Sequence, residues 1–157
     1  MKDYDILVKG HSEVTLTGDS EWSVAVTEGV EVDNRHRSVD IEIRDLKTAK
    51  IAVPHEVPVV EFNIEDSRLN IEDITFEKIE IDGKGKIVVE LKNTTGPIDI
   101  NMIDGECELR VPEGYVFKTV IKGKNNVIDS DIEADPASAN VIEINGKDST
   151  LHIVRLV

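Results

Sequence analysis

The sequence contains only one cysteine, Cys107, and few aromatic residues. A single cysteine cannot form an intramolecular disulfide, and it cannot build an all-cysteine metal site within one chain. Aromatic residues make up 4% of the chain and are scattered, which argues against a stacking platform for bases or sugars; we predict that Trp22 packs in the core or a cap. Cys107 has Glu106 and Glu108 beside it and apolar partners at alternate positions, so we predict a buried small hydrophobe rather than a nucleophile.

Basic residues are scarce as well. The chain has 18 Lys and Arg against 32 Asp and Glu, a net charge of -14, which repels phosphate backbones and anionic lipid headgroups. We therefore expect neither nucleic acid nor a membrane as a partner. A cationic protein, a metal ion or a polar solute stays open, although an acidic balance more often serves solubility.

Long apolar runs and targeting signals are also absent. No apolar stretch approaches the ~18 residues needed to span a bilayer, and residues 1–5 lack the basic and apolar regions of a signal peptide. The expected location is the cytoplasm. The 157 residues suffice for one well-buried core, so we predict a single β domain over residues 1–157.

What the sequence does contain is short segments of Ile and Val that alternate with polar residues. Turn residues separate these segments, and no convincing helix appears. Within residues 106–111 a period of two places Cys107, Leu109 and Val111 on one face and the charges on the other. The clearest predicted strands are residues 59–64, 69–74, 76–81, 87–91, 98–103, 107–111, 116–122, 127–133, 141–144 and 151–157.

The first 58 residues are less regular but continue the same pattern. Residues 13–17, 23–26, 30–32 and 39–43 alternate in the β manner. His55 lies between Pro54 and Pro58, which predicts a corner or a sheet edge where the missing proline N–H does no harm.

Glycines mark the predicted corners at a regular interval. Gly96, Gly105, Gly114 and Gly123 are each nine residues apart, as a coil of short strands with equivalent corners would require. Two architectures fit this pattern: a β-solenoid and an antiparallel β-sandwich of hairpins. The sparse aromatics and the abundant Ile and Val favour the narrow core of a solenoid.

Three segments carry a family resemblance: TGPIDI at residues 95–100, IDGECEL at 103–109 and VPEG at 111–114. They resemble the bacterial and archaeal putative-adhesin family of β-solenoid domains of unknown function, over about half of the chain. Pro97 departs from the family's usual Asp after glycine. The resemblance implies a right-handed coil of short strands, and it implies no catalytic residues.

One acidic segment is a candidate metal site. Asp129, Asp131, Glu133 and Asp135 recur at every second position, so in an extended strand their carboxylates would share a face and could bind calcium. The segment does not match the helix–loop–helix calcium template, because Ala134 occupies the required glycine position. The alternative interpretation is a solvated outer face.

The remaining candidate sites are weaker. The four histidines, His11, His36, His55 and His152, show no metal-binding spacing, so a zinc site would have to be assembled by the fold. The segment at residues 83–86 lacks the phosphate-loop spacing and a following helix, which favours a tight corner. We predict no cofactor.

Two functions follow as hypotheses. The first is a non-enzymatic binding or scaffolding module that uses a regular β surface for protein contacts or self-association, with the apolar segment 151–157 as one contact. Terminal strands of a coil leave unpaired edges, which makes a homo-oligomer a reasonable expectation. The second is an enzyme resembling carbohydrate-active β-helices, with a pair of acidic residues for catalysis.

Overall fold

The computed structural model describes residues 1–18, 21 and 23–157, and the prediction for Trp22 lies outside them. Within the described residues the protein is all-β, with no helix. Sixteen strands were found: β1 (Asp3–Lys9), β2 (Glu13–Thr17), β3 (Ala25–Val26), β4 (Glu31–Asn34), β5 (Ser38–Arg44), β6 (Thr48–Ala52), β7 (Glu56–Glu65), β8 (Arg68–Glu72), β9 (Thr75–Lys84), β10 (Lys86–Lys92), β11 (Ile98–Ile103), β12 (Glu106–Val111), β13 (Lys118–Ile121), β14 (Val127–Ser130), β15 (Val141–Lys147) and β16 (Thr150–Arg155).

The strands form two eight-stranded sheets. Sheet 1 has the order β13-β15-β11-β9-β7-β1-β5-β4, and sheet 2 has the order β14-β16-β12-β10-β8-β2-β6-β3. All neighbouring pairs are parallel except β3 with β6 and β4 with β5. The hairpin pairing expected of an antiparallel sandwich is therefore confined to one end, while the two-layer arrangement is one that a sandwich would share.

From β5 to β16 the chain alternates between the two sheets. We call two consecutive strands joined by a corner, one in each sheet, a rung; β7/β8, β9/β10 and β11/β12 are three successive examples. In sheet 1 the register places Ile79 beside Val60 and Ile98 beside Ile79. One full turn between these rungs thus takes 19 residues, and equivalent residues stack directly on one another.

The core lies between the sheets and is built from columns of stacked apolar side chains. Each strand alternates inward and outward residues, so each inner position repeats from rung to rung. The longest column runs through Val32, Ile41, Ile6, Phe62, Ile81, Ile100, Ile144 and Ile121. Its six middle members are at most 2% exposed.

The corners combine tight turns with continued backbone pairing. Seven Asp or Asn residues adopt a positive φ at these turns, and the short polar side chain is what makes this conformation accessible to them. The backbone ladder continues through the corners; the N–H of Glu106 donates to the carbonyl of Gly85, for example. Gly96, Gly105, Gly114 and Gly123 lie in four consecutive connections, which explains their nine-residue spacing.

Both ends of the stack are interleaved. The first rung, β1/β2, lies between β5/β6 and β7/β8, and the last rung, β15/β16, lies between β11/β12 and β13/β14. Near one end, the chain passes from β5/β6 to β7/β8 across β1/β2, which already lies between them. Near the other end, it passes from β11/β12 to β13/β14 and then returns, so that β15/β16 lies between them. As a result, β1 and β16 have a strand neighbour on each side.

The interleaving determines where the segment 151–157 lies. The segment 151–157 was predicted to be a contact surface, but β16 pairs with both β12 and β14. Leu151 and Ile153 are fully buried, so neither edge of this strand is free for strand addition. The sequence gives no sign that the last strand is inserted into the stack, and a contact through residues 151–157 stays a prediction.

The strand predictions are confirmed for most of the chain, with some differences. β1 and β6 were not predicted, and β13 and β14 are shorter than expected. Residues 135–140 contain no helix, in agreement with the absence of a predicted helix. Pro54 and His55 lie at a corner, as predicted. Pro58 lies in β7, two residues before the pairing of β7 with β1 begins at Val60. The segment 83–86 spans the corner between β9 and β10, which agrees with a tight turn.

Candidate binding surfaces

The acidic segment considered for calcium leaves the strand after Ser130. Asp129, Asp131, Glu133 and Asp135 are all exposed, and only Asp129 lies in β14. Asp129 faces the Nδ1 of His152 at 3.3 Å, and Asp135 accepts a hydrogen bond from the N–H of Ala137 at 2.9 Å. Among the described residues no group of three or more His, Cys, Asp or Glu side chains is placed to hold a metal ion. Calcium binding by this segment stays a prediction.

The histidines lie apart from one another. The Nδ1 of His11 is 3.1 Å from the carbonyl oxygen of Asp66, and that of His55 is 3.3 Å from the carbonyl oxygen of Asp73. His36 is exposed. His152 lies on the outer face of sheet 2, between Asp129 and Glu106.

Cys107 is buried in the core, as the sequence predicted. Its side chain is fully enclosed, and burial, with a smaller contribution from the charge of Glu108, raises the pKa of the thiol to about 12. The thiolate is the reactive form of cysteine. Cys107 therefore acts as a packing residue.

An acidic ladder runs across the outer face of sheet 1, and sequence reasoning missed it. Seven consecutive strands each place one acidic residue in register: Asp33, Asp40, Asp5, Glu61, Glu80, Asp99 and Glu143. Neighbouring strands lie about 4.8 Å apart. The signal was present in the sequence, because Glu61, Glu80 and Asp99 are separated by 19 residues each.

Basic residues neutralise parts of this ladder. Lys78 lies 2.8 Å from a carboxylate oxygen of Glu80 and 3.0 Å from one of Asp99. Lys122 lies 3.0 Å from Glu143 at one end of the ladder. At the other end Arg35 contacts Asp33 at 3.0 Å and Asp40 at 3.6 Å.

The middle of the ladder shows opposed pKa shifts in two adjacent carboxyl groups. Partial desolvation raises the pKa of Glu61, and a hydrogen bond with Glu80 and the charges of Glu80, Asp5 and Asp82 raise it further. The hydrogen bond and charge of Lys78 hold the pKa of Glu80 below its usual range. Ionised Glu61 is thus disfavoured in the folded protein.

This arrangement predicts that Glu61→Gln stabilises the protein at neutral pH. The folded pKa of Glu61 is above its unfolded value, so its ionised form costs folding free energy at pH 7, and this cost disappears as the pH falls through the folded pKa. We expect a higher Tm for Glu61→Gln at pH 7 and no difference below about pH 3, where the carboxyl is protonated in both states. Calorimetric melting across this range measures the effect.

The matched control is Glu77→Gln, which removes the same charge from an exposed position on β9 outside the ladder. An equal gain in Tm from both variants would mean that the net charge of -14, rather than the ladder, sets the effect.

A shallow depression of about 470 Å³ lies near one end of sheet 1. Five carboxylates line it together with Leu7, Val32, Ile41 and Asn63; they are Asp5, Glu31, Asp33, Asp40 and Glu42. Arg35 contacts two of these carboxylates, and Arg44 lies 2.5 Å from Glu42. The depression therefore gives this end of the stack an acidic surface that is partly neutralised.

The outer face of sheet 2 carries a different arrangement. Glu90 accepts hydrogen bonds from Arg68 and from Arg110, the latter at 2.9 Å. Burial pushes the pKa of Glu90 up, but the two arginines outweigh this effect and hold the pKa below its usual range. These ion pairs link β8, β10 and β12 and therefore act as a structural cluster.

The end of the stack formed by β13 and β14 is open. Neither strand has a second neighbour among the described residues, so each presents unpaired backbone N–H and C=O groups. Ile121 occupies the inward position of the long core column but is 55% exposed, and Val127 is 53% exposed. An unpaired edge with exposed apolar side chains is a site at which another strand can add.

These features define an all-β protein of two stacked, mainly parallel sheets. A similar structure is the crystal structure of a putative cell adhesion protein from Clostridium sporogenes, with a TM-score of 0.59 and 12% sequence identity over 99% of this chain and 93% of that chain. At this identity the likeness shows the fold alone, and it agrees with the adhesin-like fold that the sequence resemblance implies. No family model and no curated protein matches the chain. Among the described residues, no helix is long and apolar enough to cross a membrane.

Proposed function

We propose that this protein is a non-enzymatic binding or scaffolding module that makes protein contacts through strand edges. The observation that carries the proposal is the open rung β13/β14, with its unpaired backbone and the exposed Ile121. Strand addition at such an edge supplies main-chain hydrogen bonds and buries the exposed apolar side chains. The similar structure is that of a putative cell adhesion protein, which is compatible with a role in contact formation.

We also infer that the stack is a β-solenoid. The support comes from the parallel register, the 19-residue turn in sheet 1 and the backbone pairing that continues through the corners. A solenoid concentrates its variable, accessible surface at its outer faces and its ends. The right-handed sense of the coil stays a prediction from the family resemblance.

The carbohydrate-active alternative has less support. Glu61 and Glu80 are a carboxyl pair with opposed pKa shifts, which is a feature of catalytic acids and bases. However, they share a hydrogen bond, whereas the two carboxyl groups of retaining glycosidases stand about 5–5.5 Å apart to accommodate the sugar. The pair also lies on an outer sheet face, so its shifts follow from its position in the acidic ladder.

A peptide-display selection on the immobilised protein tests the proposed function. We expect enrichment of strand-forming peptides that lose binding to Ile121→Asp, because a buried, unpaired carboxylate would oppose strand addition. Ile103→Asp is the matched control, since Ile103 is 59% exposed and lies on β11, away from the open edge. Failure to enrich any peptide, or enrichment of peptides that bind both variants equally, would contradict strand addition at β13.

A further inference from the structure

The two ends of the stack are complementary, and this complementarity identifies a partner for the open edge. The long core column is exposed only at its two ends: Ile121 is 55% exposed at one and Val32 is 37% exposed at the other. Between them the column is fully buried. A column that is interrupted at both ends could continue through a second copy of the same chain.

Charge distinguishes the two edges of sheet 1, whereas in sheet 2 the segment at and after β14 is acidic. The end formed by β13 and its corner carries Lys118, Lys122 and Lys124, whereas the end formed by β4 carries Glu31 and Asp33 beside the acidic depression. Two copies that met through their β13 edges around a twofold axis would bring Lys118 opposite the other copy's Lys122. Like charges directly opposite destabilise a strand pair, so charge favours contact between unlike ends.

The strand directions fit such a contact. β4 runs antiparallel to β5, and β5 is parallel to the other main strands of sheet 1. When two copies stack in the same orientation, β13 of one therefore lies antiparallel to β4 of the next. β14 then faces β3, and the corner after β13 lies over the corner between β3 and β4.

We propose that copies of this chain associate head to tail, with β13 of one copy adding to β4 of the next. This inference rests on the proposed function and names its partner. Continuing the core column places Ile121 opposite Val32, and the antiparallel register then places Lys122 opposite Glu31. Lys122 would lie between Glu143 of its own chain and Glu31 of the next copy, as Lys78 lies between Glu80 and Asp99.

The proposed contact is heterologous, because it joins two different surfaces of the same chain. A head-to-tail contact uses two different surfaces, so each added copy exposes a new free end, and assembly continues unless the rotation closes a ring. The same register brings Lys118 to Arg35, just beyond the end of β4; this is an unfavourable pair of like charges between the two sheet 1 edges. Removal of the repulsion between Lys118 and Arg35 should strengthen the association.

Sedimentation and light scattering over a concentration series test the proposal. We expect the average mass of the wild type to rise steadily above the 17.4 kDa of one chain and to pass beyond a dimer. Lys122→Glu and Glu31→Lys should each weaken association about tenfold, and the double charge swap should restore it. Lys118→Glu should strengthen the association, because this substitution places a negative charge beside Arg35 of the next copy.

Blocked copies test the head-to-tail geometry directly. Ile121→Asp blocks only the β13 end and Val32→Asp only the β4 end, because each places a carboxylate at one exposed end of the apolar column. Neither variant should assemble alone, while a mixture of the two should form 1:1 dimers. Ile103→Asp should assemble as the wild type does. A mass fixed at one chain, a wild type that stops at a dimer, or a charge swap without rescue would overturn the proposal. Peptides that bind at β13 of a strictly monomeric protein would leave the proposed function standing and refute head-to-tail association alone.

Discussion

Gly146→Ala is expected to destabilise the protein by at least about 3 kcal/mol. Gly146 lies in β15 with a φ of 95°, and a Cβ atom there would lie 1.9 Å from the carbonyl oxygen of Met102 on β11. Because the clashing atom belongs to the backbone of a neighbouring strand, the sheet must separate to accept even one methyl group. Equilibrium urea unfolding followed by circular dichroism measures the loss.

Gly114→Ala separates the two contributions to this effect. Gly114 has a φ of 79°, and a Cβ atom there would meet nothing within 4 Å. Its substitution therefore costs only the left-handed backbone conformation, roughly 1 kcal/mol. If the two variants lost equal stability, the close approach of β11 and β15 would not be the cause.

Deletion of residues 150–157 is expected to abolish stable folding at 25 °C. The deletion removes β16, which among the described residues is the only strand neighbour of β14 and one of the two strand neighbours of β12. Leu151 and Ile153, both fully buried, each contribute about 1.5–3 kcal/mol through burial, and their loss also exposes side chains on both flanking strands. The total is comparable with the roughly 5–15 kcal/mol by which domains are stable.

The control for this deletion removes residues 156–157 alone, which lie beyond β16. We expect a cooperative thermal transition close to that of the full chain, with a small loss from the hydrogen bond between the Leu156 N–H and the Val111 carbonyl. A 150–157 deletion that melted cooperatively near the full chain's Tm would show that β16 is dispensable, as a strand at an exposed end would be.

Sequence patterns predicted most strands and their inward faces, because each inward residue must be apolar wherever a sheet buries one face. Cys107 is an example: its alternation with Leu109 and Val111 indicated burial, and the structure confirms it. β1 was missed although Tyr4, Ile6 and Val8 alternate as β2 does. The glycine spacing was interpreted correctly as consecutive corners. Three of these glycines, Gly96, Gly114 and Gly123, have a positive φ, which glycine adopts at little cost.

The acidic ladder was not predicted, although its 19-residue spacing is present in the sequence. Each acidic residue taken alone is an ordinary outward residue of a strand, and only stacking in register makes Glu61 and Glu80 neighbours. The same limit applies to Asp129 and Asp131. Alternation suggested a shared strand face for them, but β14 ends at Ser130.

The sequence by itself determined an all-β chain with short strands, glycine-marked corners, an apolar inner face and an acidic outer face. These properties depend on local alternation and turn chemistry, which act over a few residues. Only the tertiary structure decided which strands are neighbours, including the insertion of β1 and β16 into the stack and the exposure of β13 at its end. Strand order depends on which strand edges pair during folding. Because the strands present similar columns of Ile and Val, the sequence does not distinguish the correct neighbour of a strand from other strands of the same pattern.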